Sequence, residues 1–193
     1  MNTRFLVAIV SLAIGSLQAA GGSELDLKGI ARAGARPEPN AVVCIEAPNA
    51  PAPVPKQKLI LSQHNETFLP HVLAVQVGTT VAFPNEDRLY HNVFSFHDGK
   101  KFDLGTYPAG STKRVLFSEA GVSRLFCNIH PHMSGFVIAV DSPYFVVVNE
   151  DGTFTIPGVP PGTYTYHAWR PPGPRLTGTA VLPSGSLLNV TWP

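Results

Sequence analysis

Proline and glycine punctuate this chain from end to end, 19 and 17 times respectively, and between them lie short runs rich in Val, Phe and Thr. Proline breaks a helix interior, and both residues favour chain reversals. The pattern therefore predicts many short strands joined by tight turns, an all-β fold. With 44% apolar and only 14% charged residues, the 193-residue chain has enough material for a packed core.

Three blocks follow an apolar N-terminal segment. Residues 24–54 read as a short strand, a Gly/Pro turn around Gly34 to Pro39, a second strand from Ala41 to Glu46 and a Pro/Ala-rich exit. In the middle block, 56–141, Leu73, Val75 and Val77 alternate onto one face before a turn at Gly78 and a strand through Val81 and Phe83. HNVFSF, KRVLFS, VSRLFC and SGFVIAVD continue at the spacing of an antiparallel sandwich or barrel. The last block, 143–193, carries NEDG between two β-rich runs, a strong hairpin signal, and PGVPPG, which forces a second reversal. In the strand after it Tyr164, Tyr166 and Ala168 share one face, with Thr163, Thr165, His167 and Trp169 on the other.

The last block, through DGTFTIPGVPPGTYTY, resembles the carboxypeptidase-regulatory or transthyretin-like sandwich, whose expected opening occurs in the first block as KGIARAGARPEPNAVV. This resemblance implies one small discontinuous sandwich, 24–54 plus 143–193, interrupted by the middle block. Chain ends that lie close together make such an insertion inexpensive.

The segment CNIHPHM, Cys127 to Met133, crowds a thiol, two imidazoles and a thioether into one short loop. A catalytic cysteine needs a base and a lowered pKa, often from a helix N-terminus or a neighbouring cation. His130 could be the base, yet nothing here forecasts the helix. A structural zinc site wants four strong ligands, for which Met is poor, and the chain has no CxxC pair. Copper fits better, because thiolate and thioether suit Cu(I), imidazole also serves Cu(II), and two His, one Cys and a weak axial Met make an electron-transfer site. Cys127, His130 and Met133 supply three of these four, so the missing histidine must come from elsewhere. Among His64, His71, His91, His97 and His167, His91 stands out: it follows FPNEDRLY and opens HNVFSF, which places it at a sheet end.

On these residues, FPNEDRLYHNV with CNIHPHMSGFVIAV, the chain resembles the cupredoxin family, closest to its amicyanin and plastocyanin branch. The Cys-x-x-His-x-x-Met spacing with Pro131 directly after the second histidine is amicyanin-like. Together with its flanking pieces the chain resembles an extended, methylamine-utilisation-like periplasmic variant. The resemblance implies a Greek-key sandwich over 56–141, inserted in or packed beside the smaller one. It further implies one type 1 copper ion held by His91, Cys127 and His130, with Met133 as the weak axial ligand. Asn92 is implied to donate its backbone N–H to the Cys127 sulfur and to tie two loops through its side chain. His132 departs from the pattern, in which an aromatic stands between the proline and the methionine. With Pro131 it is expected on a docking face.

These readings predict a monomeric periplasmic blue-copper protein that passes single electrons between protein partners through transient contacts and is not itself an enzyme. The alternative is a non-redox copper-binding or partner-binding sandwich module. Only two methionines argue against copper storage, and the histidines do not form the clusters a multicopper enzyme requires. Export is expected from the first residues: Arg4, an apolar run from Phe5 to Leu17 and small residues at Ala19 and Ala20 read as a signal peptide over 1–20. That run is short of the roughly twenty residues needed to span a bilayer, so no membrane span is expected after cleavage. The chain carries 14 Lys plus Arg against 13 Asp plus Glu, and loss of Arg4 with the leader balances them. Without a basic cluster, nucleic-acid binding is excluded. Cys44 lies in the strand-like NAVVCIEA and is not expected to pair with Cys127.

Overall fold

The structure, a computed structural model, describes residues 24–47, 59–96, 98–171, 173–183 and 187–193. The expected signal peptide, His97 and the Pro/Ala-rich exit of the first block from residue 48 lie outside the described residues. Among the described residues all regular structure is strand. In chain order the strands are β1 (Leu25–Ala33), β2 (Arg36–Pro37), β3 (Val42–Ile45), β4 (Leu59–Ile60), β5 (Ser62–His64) and β6 (Thr67–Leu69). There follow β7 (Val72–Gln76), β8 (Thr79–Pro84), β9 (His91–Ser95), β10 (Phe102–Tyr107), β11 (Thr112–Phe117) and β12 (Gly121–Phe126). The last are β13 (Ser134–Val140), β14 (Phe145–Val147), β15 (Thr153–Val159), β16 (Gly162–Trp169), β17 (Leu176–Leu182) and β18 (Leu188–Trp192).

The central part of the chain forms a sheet in the order β10-β9-β12-β13-β7 facing a smaller one, β11-β8-β4. Alternation within the strands explains the pairing. Val81 and Phe83 of β8 and Val115 and Phe117 of β11 point into one core with Val75, Val93, Leu125 and Val137, while Thr80, Arg114 and Leu116 point out. The terminal parts form a second pair of sheets, β15-β1-β18 with β2 on β1, and β14-β3-β16-β17. Their core gathers Leu27, Ile45, Phe154, Ile156, Ala168 and Trp192, with Tyr164 and Tyr166 packed against it. The face expected for Tyr164, Tyr166 and Ala168 is thus the inward one.

NEDG makes a tight turn between β14 and β15, but the expected hairpin does not form: β14 pairs with β3 and β15 with β1, because each strand finds its partner in a different one of the two facing sheets. The glycine of the turn is required there. Gly152 has φ +84°, and a Cβ on it would come within 2.8 Å of the Ala31 carbonyl oxygen.

A third apolar cluster joins the two pairs of sheets. Val72 and Ala74 of β7 and Phe136, Ile138 and Val140 of β13 are buried against Val42, with Cys44, Phe145, Val147 and Trp169 alongside. Alternation along β7 puts Leu73, Val75 and Val77 on one face as expected, but its opposite face is covered too. The unbroken apolar run GFVIAV in β13 has the same cause, since a strand packed on both sides has no face to give to solvent.

Candidate metal centre

His91 begins β9 and Cys127 follows directly on β12. These strands are antiparallel neighbours, paired at Phe94 and Phe126, so the start of one meets the end of the other. The loop after Cys127 then doubles back into β13, closed by the Met133 N–H donating to the His130 carbonyl at 3.0 Å.

This topology brings His91, Cys127 and His130 together, each offering one donor atom, all within 4.8 Å of one another. His91 Nδ1 faces His130 Nδ1 at 3.0 Å, and Cys127 Sγ lies 3.8 Å from His130 Nδ1. His91 is fully buried and Cys127 nearly so, whereas His130 is half-buried. One imidazole of the cluster therefore reaches the surface. Met133 is buried in the same apolar cluster as Cys127. The other weighed histidines lie elsewhere: His64 and His71 are exposed, and His167 sits on β16. Cys44 and Cys127 are both free thiols, in different clusters.

Asn92 is buried, and its side chain spans two elements. Its Nδ2 donates to Asp103 Oδ1 at 2.8 Å, and its Oδ1 accepts the Asn128 N–H at 3.3 Å. The described hydrogen bonds contain this tie and not the amide-to-sulfur bond expected from the same residue. Pro131 and His132 are exposed. The His132 ring centroid is 6.3 Å from that of His130, and its Nε2 lies 3.2 Å from Glu66 Oε2. Ile129 in the same loop, and Leu89 and Tyr90 just before His91, also present apolar surface.

Asp87 belongs to the site and was missed in the sequence. Its Oδ2 accepts His91 Nε2–H at 2.7 Å and the Glu66 N–H at 2.9 Å, while Oδ1 accepts the Asn65 N–H at 2.5 Å. Burial pushes this carboxyl up, but the Glu66 amide, the His91 ring and the Asn65 amide outweigh it and hold Asp87 below the ordinary carboxylate range. An ionised carboxylate only accepts hydrogen bonds, so the His91 proton sits on Nε2 and its Nδ1 lone pair faces the cluster. The signal in the sequence was an acidic residue four positions before the histidine.

This donor set fits a copper ion. A thiol and two imidazole nitrogens converge, one imidazole already in the ligating tautomer, in a pocket walled by apolar side chains.

Comparisons with known proteins return partial likenesses. The family described as polysaccharide lyase family 4, domain II, matches residues 139–181. That segment falls largely within the block where a carboxypeptidase-regulatory or transthyretin-like sandwich was expected, and it carries a different description. The chain is 35% identical over 60 residues to the methylamine utilization protein MauL of Methylorubrum extorquens, covering 31% of this chain and 53% of that protein. The chain thus spans about half the length of the curated relative it matches. A purple cupredoxin from Nitrosopumilus maritimus is 26% identical with a TM-score of 0.39, over 43% of this chain and 100% of that one. A copper-containing nitrite reductase from Thermus scotoductus is 27% identical with a TM-score of 0.43, over 51% of this chain and 25% of that one. A reduced amicyanin variant is 24% identical with a TM-score of 0.39, over 52% and 99% of the two chains.

Proposed function

We propose that this protein is a type 1 copper electron carrier, with His91, Cys127 and His130 as the strong ligands and Met133 as the weak axial one. The observation that carries the reading is the convergence of two imidazoles and one thiol within 4.8 Å at the end of a packed sheet. When bound, the copper ion supplies one reversible electron. The chain's own residues hold the donors so that little rearranges on electron exchange. β9 and β12 position His91 and Cys127, Asn92 pins the ligand loop to β9, and Asp87 holds the proton of His91 on Nε2. The buried flank excludes water, and the half-buried His130 edge, with exposed Pro131 and His132 beside it, is where a protein partner docks transiently. On this reading the protein performs no turnover of its own, works as a monomer and resides in the periplasm. Among the described residues no helix is long and apolar enough to cross a membrane.

We also propose a division of the chain into 24–54 plus 143–193, a discontinuous sandwich, and 56–141, the metal-bearing one. Two separate core clusters drawn from these ranges support it.

Addition of Cu(II) to the purified protein tests the copper reading. The expected result is an intense thiolate-to-copper absorption band with reversible one-electron reduction, absent in Cys127→Ser. A colourless protein, or colour retained without the thiol, overturns the ligand assignment.

A further inference from the structure

Away from the metal cluster, the junction between the two pairs of sheets opens into a groove of about 540 Å³, a size that holds small organic ligands. Both pairs build it. Arg124 and Phe136 come from β12 and β13, and Trp169 and Arg175 come from the end of β16 and the segment leading into β17. Phe136 and Trp169 meet edge to face, ring centroids 5.2 Å apart and planes 62° apart, and provide an angled aromatic floor. Arg124 lies over the rings of Phe126 at 4.7 Å and Phe136 at 5.9 Å, which holds its guanidinium at the groove.

The charge of the groove is uncompensated. Among the described residues neither Arg124 nor Arg175 has a carboxylate in ion-pair range, whereas Arg170 nearby is paired with Glu38 at 3.0 Å. Among the described residues the one acid lining the groove is Asp98, which leaves an excess of one positive charge among them. The rim is also built tightly. A side chain at Gly121 would come within 2.5 Å of the Gly99 Cα, so the two backbones are already in contact. Two free guanidiniums beside an aromatic floor suit a planar anion that can be held by paired hydrogen bonds. One net positive charge suits a single carboxylate.

We propose that this groove binds a small organic monoanion, a carboxylate carried on a six-membered ring. The ring lies against Trp169 and Phe136, and the carboxylate is taken by Arg124 and Arg175. Because both pairs of sheets contribute, the ligand also bridges them. The proposal is independent of the copper site.

An aromatic acid and a sugar acid share this chemistry, and phenylacetate and glucuronate are the two arms of the test. Each is titrated into the nitrogen-labelled full chain while amide and indole N–H shifts are followed. The expected result is saturable one-to-one binding of at least one acid, with shifts at Asp98, Gly121, Arg124 and the Trp169 indole. Arg124→Gln and Arg175→Gln are each expected to weaken binding by about tenfold, the loss of one charge-assisted hydrogen bond. The methyl ester of the acid that binds is expected not to saturate. Failure of both acids to saturate, equal binding of ester and acid, or shifts confined to the Cys127 loop overturns the proposal. The ester comparison uses the unaltered chain, so the outcome does not depend on the variants folding.

Discussion

Asp87 is four residues from His91 in sequence and touches it only because a separate hairpin holds the carboxylate in place. The Asn65 and Glu66 amides that fix it come from the turn between β5 and β6. Asp87→Asn keeps the shape but can donate to His91 Nε2, which favours the tautomer with its proton on Nδ1, the ligating nitrogen. Metal affinity is expected to fall by about 10–100-fold, measured by competition with a chelator of known copper affinity, and the urea midpoint of the metal-free protein is expected to fall as well, because the amide nitrogen that meets His91 cannot accept the Glu66 N–H. At this scale the sequence was legible where donors cluster in one loop, as in CNIHPHM, and where a histidine opens a strand. Asp87 escaped because an acid in a polar loop reads as solvated surface until its distant amide donors are placed.

Strands carry their own tests. Tyr107 ends β10 and stitches the facing sheets: its O–H donates to the Phe83 carbonyl at 3.1 Å and its oxygen accepts Gln63 Nε2–H at 2.5 Å. Burial pushes the phenol up to about 12 against the opposing Gln63 hydrogen bond, with Cys127 adding to the rise. A folded-state value above the unfolded one of about 10 means that its stabilising contribution is complete below pH 10 and lost as pH climbs towards 12. Urea unfolding of the metal-free protein should therefore show a loss of about 2–3 kcal/mol across that window, equivalent to about two pKa units. Tyr107→Phe should flatten that part of the profile and cost about 1–3 kcal/mol at neutral pH by leaving buried polar partners unpaired. In the NEDG turn, Gly152→Ala meets a positive φ and the Ala31 carbonyl, and should destabilise the chain by about 1–3 kcal/mol in thermal or urea melts. The reversal at NEDG was readable because its turn residues demand it locally, but that its two strands enter different sheets, paired with β3 and β1, was not. The short hairpin of β5 and β6 is equally local, its two-residue turn at Asn65 and Glu66 having positive φ at both positions, but its turn lacks the glycine that marks such a reversal in the sequence.

Across the whole molecule, the third apolar cluster couples the two pairs of sheets. Ile138 sits in it on the face of β13 turned away from the metal cluster. Ile138→Ala should cost about 2–4 kcal/mol, with far-UV signal and copper colour lost together at the same lowered urea concentration. Separate transitions for the two signals would show that the sheet pairs unfold independently. The sequence by itself determined the strand-and-turn character, the inward faces and the convergence of soft donors in one loop, because each follows from local chemistry repeated at a period of two. Only the tertiary structure decided that β7 and β13 are covered on both faces, that Asp87 sets the His91 tautomer, and that Arg124 and Arg175 share a groove. Those depend on which surfaces meet after the chain has closed on itself, and no local spacing encodes the distance between residues brought together from separate sheets.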